Sequence, residues 1–67
     1  MKQDESGVVF PRLLTVRDVA DILGVPVSTV HHWALRGEGP ASFKVGKHRR
    51  YTATDVRDWL AEMRRAG

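Results

Sequence analysis

Residues Thr15–Gly37 read TVRDVADILGVPVSTVHHWALRG, and the spacing within this stretch decides the fold. Val16, Val19, Ala20 and Leu23 fall at i, i+3, i+4 and i+7, one face of a helix that Gly24 ends. The helix opens with cap grammar. Thr15 is placed to accept from the amide of Asp18, the Asp18 side chain can reach back, and Leu14 can pack on Val19. Aspartate is a weaker third-position partner than glutamate, so this capping box is expected to be imperfect. Gly24-Val25-Pro26 makes a tight link, with proline suited to the first turn of the next helix. That second helix runs from Val27 to Arg36, turns Val27, Val30, Trp33 and Ala34 inward, and stops at Gly37. Two short helices joined by three residues spell a helix-turn-helix, and a plain helical hairpin shares the pattern.

Downstream, Gly37-Glu38-Gly39-Pro40 breaks the helical period. Ser42-Phe43-Lys44-Val45 alternates polar and apolar residues in the manner of a half-buried strand. Gly46-Lys47 suits a two-residue hairpin turn with glycine first, and His48 to Tyr51 returns as the second strand. Tyr51, Thr52, Asp55 and Val56 then repeat the spacing of Leu14, Thr15, Asp18 and Val19, two helix starts obeying one capping rule. The third helix carries Val56, Trp59, Leu60 and Met63 on its inner face and is expected to fray over Arg64-Arg65-Ala66-Gly67. Residues 1–12 lack such signals and read as a flexible N-terminal tail. The expected architecture over residues 13–67 is mainly α with a small β-hairpin: a winged helix-turn-helix of three helices and a two-stranded wing.

With 67 residues the chain is near the lower limit for a self-supporting core. It has no cysteine, which excludes disulfides and thiolate metal sites. No apolar run approaches the roughly 20 residues that span a bilayer, and the start lacks the apolar core of a signal peptide. A soluble cytoplasmic protein, nucleoid-associated when on DNA, is the expectation. The net charge is +3, and its distribution matters more than its size. Residues 1–14 and 52–67 each cancel, while Arg17 is outweighed by Asp18 and Asp21. The excess lies in Arg36–Tyr51, where Arg36, Lys44, Lys47, Arg49 and Arg50 oppose only Glu38. Such a concentrated patch is the electrostatic footprint of a phosphate-backbone binder.

The second helix of a helix-turn-helix enters the major groove. Its outward positions here read as Ser28, Thr29, His31, His32 and Arg36, with Ser28 equally suited to a cap or first-turn role. The wing supplies Lys44, Lys47, His48, Arg49 and Arg50, a ribbon fit to follow a backbone or enter a minor groove. Charges on a hairpin also guard an edge against strand pairing, though five basic or near-basic residues exceed that need. Arg17 is a further, weaker phosphate contact. His31, His32 and His48 lack metal-ligand spacing, since adjacent histidines point to different sides of a helix, so no metal or other cofactor is expected. No nucleophile, base and pocket can be assembled, and an enzyme is not expected. Tyr51 after His48-Arg49-Arg50 reads as a core residue instead of an attacking nucleophile, and Trp33 and Trp59 read as packing side chains.

Taken in order, Leu14–Ala20 with Leu23-Gly24-Val25, Ser28–Trp33, Val45–Tyr51 and Asp55-Val56 resemble the small excisionase-like, MerR-type winged helix-turn-helix proteins of phages, integrating plasmids and actinobacteria. The resemblance covers roughly residues 13 to 62. It departs at Pro26, where the family often has a Ser or Thr cap, and at His31-His32, where Tyr-Arg is common. The resemblance implies an accessory protein on double-stranded DNA that binds adjacent sites, bends the DNA and directs a separate integrase toward excision. Larger MerR-type regulators add a dimerisation helix and an effector domain, and the end of the chain at Gly67 favours the accessory role. Neighbouring protomers and an integrase are the expected protein partners, through the tail or through the third helix with Arg57, Arg64 and Arg65. A small transcription regulator of the same fold is the alternative. A protein-interaction adaptor without DNA binding is the alternative from another class.

Overall fold

The structure, a computed structural model, describes residues 12–67. Its elements run α1 (Val16–Leu23), α2 (Val27–Arg36), β1 (Phe43–Val45), β2 (His48–Arg50) and α3 (Ala53–Ala66). Three helices and a two-stranded antiparallel hairpin make a winged helix-turn-helix. The tail expected over residues 1–12 lies, apart from Arg12, outside the described residues.

Thr15 Oγ1 accepts from the Asp18 amide at 3.0 Å, and the Thr15 amide donates to Asp18 Oδ2 at 2.9 Å. Both bonds of the capping box are therefore made, and the imperfection expected from aspartate is absent. The extended backbone at Thr15 turns its N–H toward the first turn, within reach of the shorter carboxylate. That N–H holds the Asp18 carboxyl below its ordinary value. The Thr15 hydroxyl and the charges of Arg12 and Arg50 act in the same direction, against the opposing effect of desolvation. A carboxyl whose folded value is depressed contributes its stability fully above the unfolded value of about 3.9, and loses it as pH falls through the folded value. Asp18→Asn is expected to flatten this acid-side loss in urea titrations repeated at falling pH. A variant profile superimposable on the wild type would count against the cap as a titrating contact.

α2 begins at Val27, and Pro26 stands outside it as the N-cap residue instead of within its first turn. Its ring offers no acceptor, so no side chain caps α2, and the Pro26 carbonyl takes the Thr29 amide at 3.0 Å. Beyond α2, Gly39 packs against the Trp33 side chain. A Cβ there would lie 2.9 Å from Trp33 Cε3, and the backbone has φ 76°, so both space and conformation demand glycine. The hairpin pairs Phe43 with Arg50, Lys44 with Arg49 and Val45 with His48. Its turn places a positive φ, 65°, at Gly46 and none at Lys47, the type II′ pattern that glycine favours.

Tyr51 does not extend the hairpin pairing. It bridges instead to Leu14, with Leu14 N–H donating to Tyr51 O at 2.8 Å and Tyr51 N–H to Leu14 O at 2.9 Å. This link ties the base of the wing to the start of α1. The half-burial expected of β1 is also corrected: Phe43 is 42 % exposed and Val45 49 %, because the two-stranded ribbon has no layer covering that face. The core is Val19, Ala20, Val30, Tyr51 and Val56, ringed by Leu14, Val16, Leu23, Val25, Val27 and Trp33. α3 joins it through Val56 and Trp59, the latter half-buried with its ring centroid 5.1 Å from that of Trp33. Leu60 and Met63, expected inward, are exposed, since two short helices cover only the first turns of the longer α3. Nor does α3 fray at Arg64. It continues to Ala66, where Arg64 and Arg65 complement the negative end of the helix dipole and Gly67 N–H donates to Met63 O.

Candidate nucleic-acid interface

The capped α1 and the Pro26 link fix α2 with one side in the core and the opposite side in solvent. Ser28, His31, His32 and Arg36 are exposed there, as their spacing requires. Thr29 lies at the edge of this exposed arc. It is half-buried because it lies four residues before Trp33 and so shares that residue's face. Leu35, absent from the candidates read in the sequence, is 85 % exposed. Its spacing does carry a signal, since Leu35 follows His31 by four residues and Ser28 by seven, but a leucine is ordinarily assigned to the inner face.

Between the start of α1, α2 and the hairpin lies a concavity of about 650 Å³. Arg17 enters it from α1, His31 from α2, and Lys44, Lys47, His48, Arg49 and Arg50 from the hairpin. Val16, Val27, Ala34 and Leu35 line it with apolar surface. Among the described residues no acidic side chain lines it, and five permanent cations face one space, with the Asp18 carboxylate outside that lining but within electrostatic reach of Arg50. Ser28, Thr29, His32 and Arg36 are not part of this lining.

The two arginines are held at the base of the hairpin. Arg49 Nη1 donates to the Ser42 hydroxyl, and Arg50 Nη1 donates to the Arg49 carbonyl at 2.8 Å. Both are half-buried, whereas Lys44, Lys47 and His48 near the tip are exposed. Ser42 carries no sequence signal for this role, because its partner is seven residues away across the hairpin. The Tyr51 side chain is only 1 % exposed and belongs to the core. Among the described residues no group of three His, Asp or Glu side chains is arranged to hold a metal ion.

A second groove, about 260 Å³ and mostly apolar, runs between α1 and α3 and is lined by Leu14, Ile22, Ala53, Val56, Arg57 and Leu60. It shares no residue with the basic concavity.

A helix-turn-helix with a basic hairpin beside its second helix defines a winged module of the DNA-binding class. Residues 13–64 match the family model of the helix-turn-helix domain, and the chain belongs to that family. A domain of this family implies sequence-specific binding of double-stranded DNA. Comparison with curated proteins and with solved structures returned no match. Among the described residues no helix is long and apolar enough to cross a membrane.

Proposed function

We propose that this protein is a non-enzymatic accessory DNA-binding factor of the excisionase type. α2 lies in the major groove with Ser28, His31, His32 and Arg36 toward the bases. The wing follows the adjacent backbone or minor groove through Lys44, Lys47, His48, Arg49 and Arg50, and Arg17 adds a phosphate contact from α1. The observation that carries this reading is the convergence of α1, α2 and the hairpin on one concavity lined by cations and by no acid. Phosphates on the two sides of a groove meet such a surface without any cation having to be withdrawn from an ion pair.

The excisionase role rests on the resemblance through Leu14–Ala20, Ser28–Trp33 and Val45–Tyr51. It also rests on the small size of the interface. One module of this kind touches DNA at few points, and tight occupancy calls for cooperative binding to repeated sites and for DNA bent to suit. α3 provides the surface for a neighbouring protomer or integrase, with exposed Arg57, Arg64 and Arg65 beside exposed Leu60 and Met63. A salt titration with random-sequence duplex is the first test, and log affinity is expected to fall linearly with log salt. Absence of binding at low salt would leave the adaptor reading in its place. Excision by the cognate integrase is the second test, in which addition of the protein is expected to raise the excised fraction. DNA binding without any effect on the integrase would point to the transcription-regulator reading.

A further inference from the structure

Leu35 is an exposed leucine in a place where neither folding nor helix propensity calls for one. It makes no part of the core, and alanine would serve the helix at least as well. On the helical projection it lies about 20° from Ser28, at the centre of the solvent-facing arc whose flanks are His31 and His32. It also lines the basic concavity alongside His31, Lys44 and Lys47. The other large exposed apolar side chains of the helices, Ile22, Leu60 and Met63, lie on α1 and α3, and Ile22 and Leu60 line the separate apolar groove.

We propose that Leu35 reads a thymine C5-methyl group in the major groove. The inference rests on the reading that α2 occupies that groove. An apolar side chain that shares one concavity with five cations matches a partner that presents anions and a methyl group side by side. Duplex DNA does so at every A·T pair, whose thymine methyl projects into the major groove while the phosphates flank it. An apolar protein partner would instead have to bring its own anions to Lys44, Lys47, Arg49 and Arg50 around a concavity in which Leu35 is, among the described residues, the one large apolar side chain that is exposed. Hydrogen-bond donors on the same helix face cannot distinguish thymine from uracil, because the two share the O4 acceptor. The methyl group is read by apolar contact alone.

The test uses a duplex selected by the wild-type protein from a random pool, resynthesised with deoxyuridine in place of thymidine at one position at a time. Wild type is expected to bind about fourfold more weakly at one or two of those positions, the effect of losing one buried methyl-sized apolar group. Leu35→Ala is expected to bind thymidine and deoxyuridine duplexes equally there, while Leu35→Met, which retains an apolar reach, keeps the preference. Leu35 is solvent-exposed, so neither substitution threatens the fold. Equal wild-type affinity for every substituted duplex overturns the inference, and so does a preference that survives Leu35→Ala. Failure of the wild type to bind any duplex at low salt overturns the DNA reading itself, which is a distinct outcome.

Discussion

Replacing Lys44, Lys47, Arg49 and Arg50 together by glutamine is expected to lower affinity for duplex DNA by about 10³- to 10⁴-fold at about 0.1 M salt. The magnitude follows from counterion release. Each phosphate neutralised by a cation contributes about 0.9 to the slope of log affinity against log salt, and so about 0.9 log units at that concentration. Removing four such cations at once reduces the slope by about 3.6 and the affinity in proportion. Glutamine keeps much of each side chain's length and a donor for the Ser42 hydroxyl and the Arg49 carbonyl, so the hairpin retains its local support. Surface changes of this kind ordinarily move stability by no more than about 0.5 kcal/mol each. Circular dichroism before the titration separates a folded variant without its charge from an unfolded one. The reading of the wing as a phosphate contact fails if the folded variant shows the wild-type slope.

The distinction between what local sequence reveals and what only assembly reveals is visible on both sides of Tyr51. Before it, the II′ turn at Gly46-Lys47 and the short basic ribbon are local features, readable from a glycine between two extended runs. After it, Thr52 accepting from the Asp55 amide at 3.1 Å is likewise local. The Leu14–Tyr51 bridge is neither, because it is made by backbone groups 37 positions apart and backbone groups leave no mark in side-chain patterning. The same limit explains Phe43, Val45, Leu60 and Met63. Periodicity identifies the apolar face of an element, but whether another element arrives to cover it is a tertiary matter. For the candidate site, charge clustering finds all the cations of the hairpin that line the concavity, while residue type places the polar Thr29 outward and leaves the apolar Leu35 out. Helical phase accounts for both, since Thr29 lies four residues before the half-buried Trp33 and Leu35 seven after the exposed Ser28.

Tyr51→Ala is expected to cost about 3–5 kcal/mol, the range for deleting a large buried aromatic side chain. Tyr51 is among the largest fully buried side chains, clustered with Val19, Val30 and Val56, and its backbone holds Leu14 at the foot of α1. A domain of this length has a total stability of only about 3–10 kcal/mol at the usual value per residue. The variant therefore sits at or near the unfolding threshold, and thermal denaturation is expected to show a midpoint lowered by more than about 12 °C or no cooperative transition. Tyr51→Phe separates packing from the hydroxyl and is expected to unfold close to the wild type, since it keeps the ring that fills the core. Because the wing leaves the body of the protein at this residue, partial denaturation of Tyr51→Ala should carry DNA binding with it. The midpoint for binding, followed by fluorescence anisotropy during heating, is expected to coincide with the loss of helical signal. A Tyr51→Ala protein that melts within a few degrees of the wild type would show that the packing of Val19, Val30 and Val56 suffices without the ring, and that the core is not organised around it.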